Sequence, residues 1–249
     1  MSPEAYSEMA QMQTMHWWFV ARRKILRSQI DRLNLPAGAD ILEIGSGTGA
    51  NLDLLADFGK VVALEMSADA IVLAKERCSG TGRQISMRQG RCPEDLAGLA
   101  QKFDLICLFD VLEHIEQDGA SLAGLGSMLK PGGKLLLTVP AYQWMWGPHD
   151  THLHHHRRYS KHLLSARCAE AGLSIARVSH FNTLLFPLAV MGRLFEKLRG
   201  TNTLGTQAPP TPVNALLAFT FALERHLLAR VSLPFGLSLL LLAQPRQNA

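Results

Sequence analysis

A run of apolar residues that ends in three alternating glycines constrains this chain more than any other feature. Residues 41–49 read Ile-Leu-Glu-Ile-Gly-Ser-Gly-Thr-Gly, and a second apolar run ends at Glu65. Glycine at positions 45, 47 and 49 lets a backbone turn pass close to a ligand where a Cβ would clash. An acidic residue at the end of the next strand is placed to accept hydrogen bonds from ribose hydroxyls. The pattern therefore predicts a pocket for a nucleoside-bearing cofactor.

The glycine pattern alone does not identify the cofactor. The nicotinamide dinucleotide fingerprint Gly-x-Gly-x-x-Gly/Ala is formally met by Gly45, Gly47 and Ala50. Glu43 argues against it, because a carboxylate in the strand before the turn suits a cationic amino-acid group better than a pyrophosphate. Gly49 makes the loop denser in glycine than the fingerprint requires. An NAD-dependent reductase stays as an alternative interpretation.

Two later segments extend the pattern. Residues 103–110 read as a strand that ends in an acid and is followed by Val111-Leu112-Glu113-His114, and residues 129–134 read as a tight turn that leads into another strand. As a set, and over roughly residues 38–140, these segments resemble the class I S-adenosylmethionine-dependent methyltransferases. The resemblance implies that S-adenosylmethionine is the cofactor and methyl transfer the reaction.

Two flanking motifs narrow the resemblance. His16-Trp17-Trp18-Phe19 precedes the core, and His-Arg-Arg-Tyr follows it at 156–159. They look like one bacterial subgroup of these methyltransferases, whose members often accompany enzymes of surface-glycan and lipid-linked sugar assembly. A non-catalytic scaffold that binds the cofactor stays open as a further alternative.

The resemblance implies a Rossmann-like α/β sandwich, with a mostly parallel seven-stranded sheet and an antiparallel last strand. Hydrophobic periodicity predicts strands at about 40–44, 61–65, 85–88, 103–108, 134–139 and 173–180, with 236–244 as the last strand. Alternating strands and helices require a parallel sheet. The predicted regions are N-terminal helices or a lid at 1–36, a core at 37–181 and 234–249, and a hydrophobic helical insertion at 182–233 with a flexible middle at 201–212.

The family pattern assigns a cofactor role to specific positions. In the family the first loop holds the methionine and ribose parts, and the acid after the second strand holds the ribose diol. The segment after the third strand departs from the usual Gly-Asp-Ala, so the adenine contact falls to Cys92 and nearby backbone or to Glu94 or Asp95. The residues expected to bind S-adenosylmethionine are Glu43, Gly45, Ser46, Gly47, Gly49, Glu65, Met66, Arg91, Cys92, Phe109 and Asp110.

Residues 140–159 are dense in aromatic, imidazole and guanidinium groups. Because open α/β sheets bind ligands beyond the carboxyl ends of their strands, this segment is predicted to wall the acceptor site. Trp144 and Trp146 would supply apolar faces, and Arg157 and Arg158 would bind an anion. Trp17, Trp18 and Arg22 would form a lid over the cofactor. The predicted acceptor residues are Trp17, Trp18, Tyr142, Trp144, Trp146, His154, Arg157, Arg158 and Tyr159. The alternatives are that the loop packs on the domain with its histidines in solvent, and that the two N-terminal tryptophans are buried by an amphipathic helix.

Candidate proton acceptors lie in the same region. His149, oriented by Asp150, and His114 are the candidate bases, which an acceptor such as an alcohol would require. Imidazoles are also good metal ligands. The histidine spacing matches no defined zinc pattern, however, and no metal ion is predicted.

Composition and charge limit the partners. The net charge is +4, and residues 182–233 hold apolar stretches with basic residues gathered at one end, which suits an interfacial helix or a cover over an apolar tunnel. We therefore expect a small-molecule, hydrophobic or lipid-linked acceptor, with self-packing of the helices as the alternative. Phe109-Asp110-Val111-Leu112 differs from the Asp/Asn-Pro-Pro-Tyr/Phe of amino-methylating nucleic-acid enzymes, so no nucleic acid is expected. Four cysteines without a Cys-x-x-Cys pair and an N-terminus without a signal-peptide core predict a cytoplasmic protein. The apolar segment 182–233 predicts that it is peripheral at the inner face of the membrane.

Overall fold

The fold is a seven-stranded sheet covered by helices on both faces. The computed structural model describes residues 3–199 and 209–246 of the chain. The strands are β1 (Ala39–Ile44), β2 (Gly59–Glu65), β3 (Ile85–Gln89), β4 (Phe103–Phe109), β5 (Leu129–Pro140), β6 (Leu173–Phe181) and β7 (Ser238–Pro245). The helices are α1 (Pro3–Met15), α2 (Trp17–Ile30), α3 (Leu52–Ala56), α4 (Ala68–Cys78), α5 (Asp118–Ser127), α6 (Pro148–His152), α7 (Lys161–Glu170), α8 (Phe186–Arg199), α9 (Thr211–Ala222) and α10 (Glu224–Leu228).

The sheet order is β3-β2-β1-β4-β5-β7-β6. The first five strands in this order run parallel, and β7 lies antiparallel between β5 and β6. This arrangement confirms the predicted fold class. The strand order reverses direction between β1 and β4, and such a switch point opens a ligand crevice beyond the carboxyl ends of the two strands.

Alternate residues of the central strands pack into two cores. Leu42 and Ile106 face one core, whereas their neighbours Ile41 and Leu105 face the other. Both faces of a parallel sheet are buried, so its strands read as nearly continuous apolar runs. For this reason the sequence located these strands to within a few residues.

The strand β5 begins earlier than predicted. The sequence indicated a turn at 129–134 before the strand, but the strand extends from Leu129 and the turn is an irregularity within it. Gly132 has a left-handed φ of +77°, and a Cβ on Gly133 would lie 2.8 Å from the carbonyl oxygen of Phe103. The strand can therefore continue through this distortion because Gly132 tolerates the left-handed φ and Gly133 has no Cβ to clash with Phe103.

The N-terminal helices and the 182–233 segment pack on each other. Helix α2 lies along α9, where the rings of Trp17 and Phe221 are 5.9 Å apart. Of the predicted flexible middle, residues 201–208 lie outside the described residues and α9 already begins at Thr211. The division of the chain into three regions stays a prediction. Among residues 3–199 and 209–246, no helix has the length and hydropathy that a bilayer span requires.

Candidate cofactor and acceptor site

The glycine loop after β1 forms a tight turn over open space. Gly45, Gly47 and Gly49 all have left-handed φ angles, of +66°, +53° and +80°. A Cβ on Gly45 would lie 2.6 Å from a methyl group of Val111, whereas a Cβ on Gly47 would meet no protein atom within 4 Å. Ser46 between them is buried. The glycine loop, called the cradle from here on, therefore faces open space above Gly47.

Glu65 ties the glycine loop to the end of β2. Its carboxylate accepts hydrogen bonds from the backbone N–H groups of Gly47, at 2.8 Å, and Ser67, at 2.9 Å. Each carboxylate oxygen can accept a further bond, so both oxygens keep capacity for a ligand hydroxyl. The next side chain, Met66, is exposed at the rim of this region.

Glu43 is buried beneath the loop and lacks a full set of partners. One of its oxygens accepts a hydrogen bond from Asn51 Nδ2 at 2.9 Å, and the other, Oε2, has no partner among the described residues. Burial raises the pKa of Glu43 to about 7, although Asn51 and then Arg22 act in the opposite direction. A cationic ligand group would satisfy the orphaned oxygen. The cradle and the two carboxylates thus fit an amino-acid-bearing nucleoside such as S-adenosylmethionine.

The segment after β3 is closed by a hydrogen bond between two of its own residues. Asp95 accepts a hydrogen bond from the backbone N–H of Arg91 at 2.7 Å, so this carboxylate already closes the loop. Arg91 is exposed and Cys92 is half-buried. Burial raises the pKa of the Cys92 thiol to about 11, so the thiol is protonated at neutral pH. The adenine contact of this segment stays a prediction.

The tip of β4 is bound by the N-terminal helix α2. Arg22 lies 2.7 Å from the Asp110 carboxylate and donates a hydrogen bond to the carbonyl oxygen of Phe109 at 3.3 Å. Asp110 has a left-handed φ of +58°, and Thr138 donates a hydrogen bond to it at 3.2 Å. The Arg22 guanidinium also stacks 4.7 Å from the Trp18 ring centre. Phe109 and Asp110 therefore lie at the switch point, beside the glycine loop.

The loop after β5 is organised around Asp150, and its partner differs from the predicted one. Asp150 is fully buried and accepts hydrogen bonds from His155 Nδ1 at 2.9 Å, Arg158 Nε at 2.7 Å and the Gly147 N–H at 2.8 Å. The expectation that Asp150 orients His149 is therefore wrong, and His149 Nδ1 has no partner among the described residues. Although burial opposes the effect, the hydrogen bonds from His155 and Arg158 hold the pKa of Asp150 well below its usual range.

The predicted anion clamps are used inside the protein. Arg158 is buried against Asp150, and Arg157 pairs with Asp118 at 2.9 Å. The Tyr159 hydroxyl, fully buried, donates a hydrogen bond to Asp118 at 3.0 Å. These three side chains thus already have partners within the protein, and their contact with an acceptor stays a prediction. Together they fasten the loop to the segment after β4, because buried charges are retained where they find partners.

The predicted aromatic wall is divided between two places. Tyr142 stacks on His180 with ring centres 5.2 Å apart, and Trp144 is an exposed neighbour of Tyr142 at 5.5 Å. Trp146 instead lies beside His155 at 6.5 Å. His154 is exposed and has a left-handed φ of +56°, which places it on the outer turn of the loop.

The tryptophans of the N-terminal helix are partly buried. Both Trp17 and Trp18 pack against the core formed with α9, and Asn214 accepts a hydrogen bond from the Trp17 backbone N–H at 2.9 Å. The structure therefore favours the amphipathic-helix alternative over a lid formed by these rings. Helix α1 also contacts the glycine loop, since Thr48 in this loop donates a hydrogen bond to Gln13 at 2.6 Å.

Sequence reasoning missed a cluster between the β4 tip and the β5 loop. Glu113 is buried with its Oε2 unpartnered, and the rings of His114 and His155 lie 4.5 Å apart. Desolvation, and then His155, lowers the pKa of His114 to about 4, although the residue as a whole stays exposed. The run of three histidines at 154–156 gave no sign of which one points inward, because that choice depends on Asp150.

Comparisons with known proteins identify the family of the chain. A family model described as a methyltransferase domain matches residues 17–178, which is 162 of the chain's 249 residues. A ubiquinone biosynthesis O-methyltransferase of Xanthomonas axonopodis pv. citri is 32% identical over 105 residues, or 42% of this chain and 44% of the relative. One of the same name from Azorhizobium caulinodans is 26% identical over 182 residues, or 66% of this chain and 65% of the relative.

Among solved structures, an S-adenosylmethionine-dependent methyltransferase from Clostridium acetobutylicum shares the fold. Its TM-score is 0.59 at 12% identity, with 90% of this chain and 91% of that chain covered. Likeness at this identity concerns the fold alone. The matched segments cover 44% and 65% of the length of these two curated relatives.

Proposed function

Since the chain belongs to the family of S-adenosylmethionine-dependent methyltransferases, we propose that it transfers the methyl group to a small hydrophobic or lipid-linked acceptor. S-adenosylmethionine is the cofactor of this family, and the glycine loop fits it. The bacterial subgroup with the His-Trp-Trp-Phe and His-Arg-Arg-Tyr motifs is the finer placement that we propose. The names of the curated relatives favour a small-molecule acceptor and methylation at oxygen.

The proposal assigns a task to each residue of the cradle. Glu43 pairs its orphaned oxygen with the cofactor's amino group, and Glu65 accepts hydrogen bonds from the ribose hydroxyls. Gly47 leaves the space that the ligand occupies. The bound cofactor supplies an activated methyl group on a sulfonium, so the protein has mainly to position the acceptor and exclude water. A base is needed only where the attacking atom carries a proton, and the proposal assigns none.

A continuous apolar path at the acceptor side carries the proposal of a hydrophobic acceptor. Tyr142 lies 5.7 Å from Phe186 at the start of α8, and Phe186 lies 5.7 Å from Phe235. Helix α8 also packs against the β5 loop, because the missing Cβ of Gly147 makes room for the Arg193 guanidinium. The path leads from the loop to the exposed apolar side of α8. An acyl or isoprenoid chain attached to the acceptor would find contacts along it.

The same region exposes an unusual amount of apolar surface. Of the sixteen exposed large apolar side chains among the described residues, twelve lie between positions 184 and 235. Leu188, Met191 and Phe195 form a stripe on α8, and Leu216 and Phe219 on α9 are 64% and 63% exposed. Exposed apolar side chains concentrated in one part of a chain are typical of interaction sites.

Charge next to this surface favours an anionic membrane as its partner. A cleft of about 350 Å³ between α2 and α10 is lined by Lys24, Arg27, Arg32 and Arg225, with Asp31 as its carboxylate. A second groove, which shares Lys24 and Arg225, is lined by Phe219 and Leu223. Cations beside an apolar helix face are the arrangement that interfacial helices use on anionic lipid. We therefore propose peripheral contact with the inner face of the membrane.

Labelled cofactor tests the acceptor proposal. Purified protein is incubated with methyl-labelled S-adenosylmethionine and an extract from cells that lack the protein. The radioactivity of the organic and aqueous phases is then counted separately. The proposal predicts label in the organic phase, lost in Glu65→Ala and kept in the control Glu76→Ala, whose side chain is exposed on α4. Label confined to the aqueous phase would contradict a hydrophobic acceptor.

Vesicle flotation tests the membrane proposal. The protein is expected to float with vesicles that contain phosphatidylglycerol and much less with neutral phosphatidylcholine vesicles. The double substitution Leu216→Glu and Phe219→Glu should abolish flotation, whereas Val72→Glu, at an exposed position on α4, should not. Flotation that ignores the double substitution would contradict the proposal. A dimer that the same substitutions dissociate would reassign this face to self-association.

A further inference from the structure

Three potential metal ligands from distant parts of the sequence meet at the cluster beside the β4 tip. One ligand atom each of Glu113, His114 and His155 lies within 4.8 Å of the other two. Glu113 and His114 follow β4, and His155 comes from the loop after β5. The backbone fixes their approach, because the N–H of His156 donates a hydrogen bond to the carbonyl oxygen of Glu113 at 2.8 Å.

One oxygen of the buried carboxylate in this cluster lacks a partner. Glu113 is 1% exposed, and its Oε2 has no hydrogen-bond partner among the described residues. Burying a carboxylate without a partner costs several kcal/mol in general, so such groups are paired or coordinate metals. An ion bound between Glu113 and the two imidazoles would remove this cost.

The third ligand is oriented in the way that metal-bound histidines are. Asp150 is fully buried and accepts the Nδ1 hydrogen of His155 at 2.9 Å, and it is fixed in turn by Arg158 and by the Gly147 N–H. Because a carboxylate only accepts, the proton is assigned to Nδ1, and Nε2 of a neutral His155 presents its lone pair. A carboxylate behind the ligating histidine sets the tautomer and ring orientation in metal sites.

From this geometry we propose that Glu113, His114 and His155 bind one divalent transition-metal ion, with Asp150 as the positioning residue of His155. Two imidazoles and one carboxylate suit zinc or a neighbouring transition metal better than magnesium, which prefers oxygen ligands. Three protein ligands leave a position for a non-protein ligand. Glu113 is three residues from Asp110, which lies at the switch point. The spacing of the histidines at 149–156 did not predict a metal ion, because this segment holds only one of the three proposed ligands, His155.

Metal titration of the tag-free, chelator-treated protein tests the proposal. Calorimetry with Zn²⁺ should give one site, and Co²⁺ should develop the visible absorption of an ion bound by nitrogen and oxygen. His114→Ala, at an exposed position, should weaken binding by more than about 100-fold, beyond the 10- to 100-fold typical of outer partners. His155→Ala and Glu113→Gln should act in the same direction.

A neighbouring histidine provides the control. His152→Ala, an exposed position in α6, should bind the ion as the unsubstituted protein does. Absence of stoichiometric binding, or binding that His114→Ala and His155→Ala leave unchanged, would overturn the proposal. S-adenosylhomocysteine binding and thermal unfolding of each variant report folding and the cofactor site separately, so failure of the metal site is distinguishable from failure of the proposed function.

Discussion

Arg22 of the N-terminal helix lies 2.7 Å from Asp110 at the tip of β4, and this pair joins the helix to the centre of the candidate site. Arg22 is buried, and its guanidinium also bonds the Phe109 carbonyl and stacks on Trp18. The N-terminal helix is therefore part of the wall of the site and positions the residue at the switch point.

Replacing Arg22 by methionine keeps much of its packing volume and removes its charge. Breaking a buried pair leaves an uncompensated charge, at about 3–5 kcal/mol. Because Asp110 is partly exposed, we expect a loss of about 2–3 kcal/mol in the free energy of unfolding, measured with urea. The control is Arg27→Met at the exposed pair with Asp57, where the expected loss is about 0–1 kcal/mol. Equal losses in the two variants would show that the buried pair has no special role.

Alanine substitutions at Gly47 and Gly80 distinguish an effect on folding stability from an effect on ligand binding. Gly47 and Gly80 both have left-handed φ angles and no protein atom within 4 Å of an added Cβ. Alanine at either position should therefore cost a similar amount, about 1–2 kcal/mol, in unfolding experiments. Only Gly47→Ala should weaken S-adenosylhomocysteine binding, by roughly tenfold or more. Equal affinity of the two variants would contradict a ligand above Gly47.

Glu43 predicts a pH dependence of cofactor binding. Burial raises its pKa to about 7 in the ligand-free protein, and a cationic amino group would favour the ionised form. Binding should therefore release a proton, and affinity for S-adenosylhomocysteine should rise as the pH rises through about 7. Calorimetry between about pH 6 and about pH 8 measures the slope, and Glu43→Gln should flatten it. A slope of opposite sign, or one that Glu43→Gln leaves unchanged, would contradict the assignment.

The sequence predicted the sheet well because its signals are local. Apolar runs such as 103–108 and the glycine turn after β1 depend on neighbouring residues, and the structure places them as expected. The cofactor-binding loop follows from the same signal, since its glycines are fixed by backbone geometry.

The positions of the side chains after β5 were less predictable, because partners distant in the sequence determine them. Arg157, Arg158 and Tyr159 read as an exposed polar motif, yet Asp118 and Asp150 draw them into the protein. Asp150 also bonds His155, one of five histidines between positions 149 and 156. Single-sequence patterns carry no information on such long-range pairs, so the sequence did not show that these side chains have buried partners within the protein.

The most direct test of the central claim is equilibrium binding of S-adenosylhomocysteine and of NAD to the purified protein. Glu65 is expected to hold the ribose hydroxyls, so Glu65→Ala should lose roughly 10- to 150-fold in affinity, from hydrogen bonds to a charged group worth about 1.5–3 kcal/mol. Glu76→Ala should bind like the unsubstituted protein. The account predicts binding of S-adenosylhomocysteine and none of NAD. Binding of NAD without S-adenosylhomocysteine, or S-adenosylhomocysteine binding that Glu65→Ala leaves intact, would contradict it.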